Sequence, residues 1–135
     1  MRGDLNESGV AGDFQFRHAV MPVLWALLIL ELHAIPGKDL PQSNWLGELH
    51  MDKLIHLMMF MFLSSSVFIA LGKSGSVRQY KWFAAAVLVM YGFGLEFAQG
   101  IWFEGRTTSF GDMLADGLGV GAGRLLFRWI YGCWN

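Results

Sequence analysis

The sequence predicts an all-α integral membrane protein, a bundle of four transmembrane helices with both termini cytoplasmic. Three observations carry that expectation. Of 135 residues 54% are hydrophobic and only 16% charged, more apolar than an ordinary soluble domain. The apolar residues fall in four long blocks separated by polar, proline- or glycine-containing breaks. The lysines and arginines of the short connections collect on one side of the resulting topology.

Residues 1–17 are polar, with Asp4, Glu7 and Asp13, and are too poor in apolar side chains to bury a core. They predict a disordered tail before a single membrane domain over 18–135. The first span covers about 19–35. Pro22 stands near its start, where proline is tolerated, and Glu31 and His33 near its far end are expected to reach the interface. No convincing small-residue cleavage site follows, so the block reads as a helix that is retained.

Pro36, Gly37 and Pro41 break that helix, and Trp45, Leu46 and Leu49 then suit a short interfacial segment. The second span, about 52–71, opens with Asp52, Lys53 and His56. Ser64, Ser65 and Ser66 fall at mid-span, where small hydroxyl residues allow close packing and bond back to the backbone. After the basic loop containing Lys73, Arg78 and Lys81, the third span covers about 82–103. At about 1.5 Å per residue it is long enough for the roughly 30 Å hydrocarbon core. The fourth, about 112–131, is the least apolar. Its Gly117, Gly119, Gly121 and Gly123 form two overlapping glycine-x-x-x-glycine pairs, which admit a neighbouring helix and offer a self-association face through Gly119 and Gly123.

Orientation follows from the basic residues. Arg2, Arg17, Lys73, Arg78, Lys81 and Arg128 share one side, against Lys38, Lys53 and Arg106 on the other. Both termini therefore face the cytoplasm, and Arg124 snorkels toward that surface. The consequence is a convergence: Asp52, His56, Glu96, Gln99, Arg106, Ser109 and Asp112 all come to one depth at the outer leaflet. Asp116 follows one turn below Asp112.

Ionisable groups beside hydrocarbon are costly and are usually paired or functional. Asp52 and His56 share a helix face, as do Glu96 and Gln99, and Asp112 and Asp116. Asp52 and Asp112 also suit helix N-termini, where an acid meets a favourable dipole, so capping and site roles both stay open for them. Glu96 sits near a helix C-terminus, where the dipole disfavours an acid. It needs a partner, with Arg106, Lys53 and Gln99 as candidates. Arg106 beside Ser109 suits a phosphate or carboxylate, and equally an ion pair to Glu96 or Asp112.

A divalent metal has weak candidate ligands in His56, Asp52, Glu96 and Asp112, with no compact ligand motif among them; no cofactor is predicted. A carboxylate or His56 acting as acid and base is a further reading. Net charge is −1 and no basic stretch is interleaved with aromatics, so nucleic acid is not an expected partner. The one cysteine, Cys133, excludes an intrachain disulfide.

Ile35-Pro36-Gly37, Asp52-Lys53-Leu54-Ile55-His56, Glu96-Phe97-Ala98-Gln99 and the Arg106, Ser109, Asp112 triplet, leading into the glycine-rich segment, stand in an order that resembles the VanZ-like family. These are small multi-pass bacterial membrane proteins named for a teicoplanin-resistance protein. The resemblance covers nearly everything after the tail. It departs at Asp116, where the family usually has asparagine, and at Glu31-Leu32-His33, where it has a serine-rich end. It implies a multi-pass protein of the bacterial cytoplasmic membrane, and some members lower susceptibility to glycopeptide antibiotics. Together with the outward convergence, the expectation is a polar pocket for an envelope lipid, lipid-linked glycan or glycopeptide-type ligand. An intramembrane hydrolase or transferase and a structural partner in a membrane complex are the alternatives.

Overall fold

The computed structural model describes residues 7–35, 51–102 and 108–132. Its elements are four α-helices: α1 Glu7–Ala34, α2 Met51–Lys73, α3 Val77–Trp102 and α4 Phe110–Tyr131. The last three lie within a few residues of the spans read from the sequence. α1 differs, because it begins at Glu7 and residues 7–17 are helical where a disordered tail was expected. Once a helix is nucleated, each further residue adds a hydrogen bond at little cost, and no proline interrupts this stretch. Pro22 consequently lies inside the helix.

Residues 16–34 of α1, all of α2 and all of α3 are long and apolar enough to cross a bilayer. α4 has 22 residues but carries Asp112, Asp116, Arg124 and Arg128. The surface is that of a lipid-facing protein. Leu24, Leu27, Phe62, Phe83, Met90, Phe97 and Trp129 are all exposed, while the buried residues include a glutamate and an aspartate. Water would not tolerate so continuous an apolar exterior on a folded monomer.

The core is Ile29 of α1, Phe60 and Leu63 of α2, Leu88 and Leu95 of α3, and Val120 of α4. α2 and α4 run parallel and pack closest of all, because α4 turns glycines toward its neighbour. A Cβ on Gly119 would stand 2.5 Å from the Leu57 carbonyl oxygen, and one on Gly123 would meet the Met61 carbonyl. At this approach Ser64 Oγ donates to the Val120 carbonyl at 2.8 Å, and Ser65 Oγ to the carbonyls of Met61 (2.7 Å) and Gly123 (3.3 Å). Gly119 and Gly123, read as a self-association face, are thus occupied within the chain. Gly117 and Gly121 have open space around them.

α1 is tied in by two donors from other elements or to them. Trp25 Nε1 donates to the Met59 carbonyl at 2.9 Å, and the Tyr91 hydroxyl donates to the Ala26 carbonyl at 2.6 Å. Gly75, at φ 69°, ends α2 and turns the chain into α3. Beyond this turn Arg124 stacks on the Trp82 ring, 4.1 Å from its centroid, so its charge is held on an aromatic face at the end of the bundle remote from Glu96.

Candidate functional site

The connectivity brings the C-terminal ends of α1 and α3 together with the N-terminal ends of α2 and α4. At that end Glu96 is 1% exposed, Asp116 0%, His33 3%, Gln99 3% and His56 9%. Each comes from a helix that is otherwise apolar, and each is placed by helical phase. His33 lies one turn beyond the fully buried Ile29, and His56 one turn before the fully buried Phe60. Glu96 and Gln99 share the inner face of α3 with Gly92 and Leu95.

Glu96 is the hub. Its Oε1 lies 3.8 Å from His33 Nε2 and 3.7 Å from His56 Nδ1, and its Oε2 accepts from the Ser109 amide at 3.3 Å. His56 Nδ1 also bonds Asp116 Oδ1 at 3.0 Å. The two imidazoles meet edge to face, centroids 4.9 Å apart at 78°. His33 Nδ1 donates to the Ile29 carbonyl at 2.8 Å, which fixes the ring and turns Nε2 toward Glu96. Gln99 Nε2 donates to the His33 carbonyl at 3.0 Å, fastening the end of α1 to α3.

Space for the Asp116 carboxylate comes from a missing side chain: a Cβ at Gly92 would stand 2.9 Å from Asp116 Oδ2. Among the described residues, Glu96 Oε1 and Asp116 Oδ2 are buried without a hydrogen-bond partner. Two carboxylates and two imidazoles thus face one another out of water. Such a set can share protons, hold a cation, or receive hydroxyl donors from a ligand.

A second, shallower layer lies at the rim. Lys53 Nζ joins Asp52 Oδ2 at 3.0 Å to Asp112 Oδ1 at 3.2 Å. Ser109 is the N-cap of α4, its hydroxyl accepting from the Asp112 amide at 3.2 Å. Ser109 therefore connects the layers, its amide bound to Glu96 and its hydroxyl to the turn that carries Asp112.

The residues read from the sequence divide accordingly. His56, Glu96, Gln99 and Asp116 meet at the buried centre; Ser109 and Asp112 form the cap, and Asp52 stays at the exposed rim. Arg106 lies outside the described residues, as does the Pro36 to Trp45 turn. Three expectations are corrected. Gln99 bonds the His33 backbone, and Lys53 bonds Asp52 and Asp112, so among the described residues Glu96 faces His33, His56 and the Ser109 amide. His33 packs inside the bundle, not on its surface. The carboxylates and histidines with metal-ligand spacing among the described residues are His33, His56 and Glu96, within 4.8 Å of one another, in place of a set containing Asp52 and Asp112.

An apolar hollow of about 330 Å³ opens between α1 and α2 on this half of the bundle, lined by residues including Trp25, Leu54, Met58 and Phe62. Comparison of the chain with protein-family models, with curated proteins and with solved structures finds no match.

Proposed function

We propose that this chain is a VanZ-like protein of the bacterial cytoplasmic membrane, with four spans, both termini cytoplasmic, and an outward polar site for the head of an envelope lipid or lipid-linked glycan. The observation that carries the reading is the burial of Glu96 among His33, His56 and Asp116, at the end where all four helices meet. Four ionisable groups within an apolar bundle are costly to keep unless they serve a ligand or a reaction. The excess of lysine and arginine at the opposite end supports the outward orientation. The exposed Leu114, Leu118 and Leu125 on α4 support a fourth span.

The charge balance narrows the ligand. Asp52, Glu96, Asp112 and Asp116 stand with Lys53, His33 and His56 in the described site, a set whose carboxylates accept hydrogen bonds from hydroxyls. Sugar hydroxyls of a lipid-linked glycan, or of a glycopeptide, suit these acceptors. The hollow between α1 and α2 supplies an adjoining apolar surface for an acyl or isoprenoid chain.

The test is equilibrium binding of a lipid-linked glycan to the protein in nanodiscs, with an anionic phospholipid as competitor. Glu96→Gln should weaken glycan binding at least about tenfold, the effect of leaving buried polar groups wrongly paired, with the fold retained. Equal affinity of wild type and variant would end the reading. A second reading, an intramembrane hydrolase or transferase, is favoured by the His56–Asp116 bond, since a carboxylate that orients an imidazole is the arrangement of a general base. Turnover of the bound lipid, lost in His56→Phe, would distinguish it from binding alone.

A further inference from the structure

We propose that His33, His56 and Glu96, with Asp116 beside them, form a binding site for one divalent transition-metal ion, zinc by the chemistry of its donors. This deepens the site reading above, because it uses the buried centre, and it does not depend on which lipid the rim receives.

The donor atoms are close to what a metal requires. Tetrahedral zinc with bonds of about 2.0 Å sets its ligand atoms roughly 3.3 Å apart. Glu96 Oε1 is 3.7 Å from His56 Nδ1 and 3.8 Å from His33 Nε2, and Asp116 Oδ1 accepts from that same His56 nitrogen at 3.0 Å, a bond whose proton the ion would displace, leaving Asp116 as the fourth ligand. The two Glu96 contacts would shorten by a few tenths of an ångström and the His56–Asp116 contact would lengthen by about as much, the two imidazole nitrogens standing within 4.8 Å of each other.

A second observation points inward independently of spacing. Glu96 Oε1 and Asp116 Oδ2 are buried oxygens that no hydrogen-bond donor reaches among the described residues. A buried carboxylate oxygen that faces two imidazole nitrogens beyond hydrogen-bond reach is in the environment of a ligand atom. The charge count agrees. Glu96 and Asp116 carry two negative charges when ionised, and a divalent ion with two neutral imidazoles makes the centre neutral, which an apolar bundle favours.

The supports of the donors match those of metal ligands. His33 Nδ1 donates to the Ile29 carbonyl, as a ligating imidazole donates through its other nitrogen. The Ser109 amide holds Glu96 Oε2, leaving Oε1 for the ion. Gln99 anchors the backbone that carries His33. Two imidazole nitrogens with carboxylate oxygens and no thiolate favour zinc over magnesium or calcium, which prefer all-oxygen sites, and over copper(I), which prefers sulfur.

The experiment loads the full chain in detergent, stripped by chelation, with zinc alone. Metal content is read by elemental mass spectrometry and affinity by competition with a chromogenic chelator. One zinc per chain is expected. Cobalt in its place should give the visible absorption of a four-coordinate nitrogen and oxygen site. Glu96→Gln and His33→Ala should abolish stoichiometric binding. Asp116→Asn, which removes an anionic ligand, should weaken it by at least the roughly ten- to a hundredfold that losing an outer-shell partner costs. Glu31→Gln, an exposed acid of α1, should leave it unchanged.

Wild-type protein that takes up less than a tenth of an equivalent of zinc would overturn the proposal whatever the variants do. So would Glu96→Gln binding zinc like wild type. Glycan binding by the zinc-free protein is measured separately, so loss of one property with retention of the other tells the two readings apart.

Discussion

His56 Nδ1 and Asp116 Oδ1 meet at 3.0 Å across the parallel α2–α4 contact, sixty residues apart in sequence and both buried. This bond exists because Gly119 and Gly123 let the two backbones approach, and because Gly92 leaves room for the carboxylate on its other side. Packing therefore creates the site, and the site in turn is a polar tie between the two most closely packed helices.

Replacing Asp116 should separate the two roles. Asp116→Asn keeps a hydrogen-bonding group of the same shape, and should cost about 0.6 kcal/mol, typical of an interhelical bond in a membrane bundle. Asp116→Leu leaves His56 beside Glu96 without its partner and should cost about 3–5 kcal/mol, as breaking a buried pair does. Thermal unfolding in one detergent, followed by circular dichroism, measures both. Equal effects would mean that the His56–Asp116 contact is not a structural tie.

The glycines of α4 should sort by face. Gly123→Val drives a side chain into the Met61 carbonyl and Ser64, and should cost more than the roughly 1–3 kcal/mol of ordinary overpacking, since the obstacle is backbone. Gly121→Ala meets open space and replaces the poorer helix former, so it should be neutral or stabilise by up to about 1 kcal/mol. Retention of monodisperse elution and of the unfolding midpoint in detergent provides the comparison. A tolerated Gly123→Val would mean that α2 and α4 do not pack through that glycine.

Much of this was legible in the sequence. Apolar block length located α2 and α3 to within a few residues, and the glycine spacing identified the packed face of α4. The pairings of Glu96 were not legible, and the reason lies in α1. Its membrane segment is apolar on every side, so no phase could be read that would aim His33 inward with Ile29, and Glu31 two residues earlier pointed to the interface instead. Asp52 and Asp112 had two open readings. Asp112 stands in the first turn of α4, whose N-cap is Ser109, and Lys53 balances both acids at the rim.

α1 is held by three side-chain ties, through Trp25, Tyr91 and Gln99. Tyr91→Phe removes the donor to the Ala26 carbonyl with little change in volume, and should destabilise by about 0.6 to 1.7 kcal/mol. Ser109→Ala, by contrast, removes a helix cap at about 1 kcal/mol and leaves the amide bond to Glu96 in place. Unfolding midpoints give both values. Hydrogen exchange localised to α1 in the first variant and to the start of α4 in the second separates the mechanisms. Exchange spread evenly over all helices in both would contradict these assignments.

Orientation and span number are tested together by single cysteines at exposed positions in a Cys133→Ser background. Asp52→Cys lies at the rim of the site, Arg78→Cys in the first turn of α3, and Arg128→Cys near the end of α4. Four spans with cytoplasmic termini expose residue 52 to the outside and place 78 and 128 inside. A membrane-impermeant maleimide added to intact cells should therefore label only the first, and all three should react once the membrane is permeabilised. If α4 lay along the surface instead of crossing, residue 128 would label with residue 52. If the orientation were reversed, 78 would label and 52 would not. The lysines and arginines favour the first pattern because moving them across an energised membrane is resisted, whereas Asp52 meets no such barrier. Labelling at residue 52 alone would bring the His33, His56, Glu96 and Asp116 centre to the outer half of the bilayer, since His56 lies one turn from Asp52 and Glu96 joins it across the bundle.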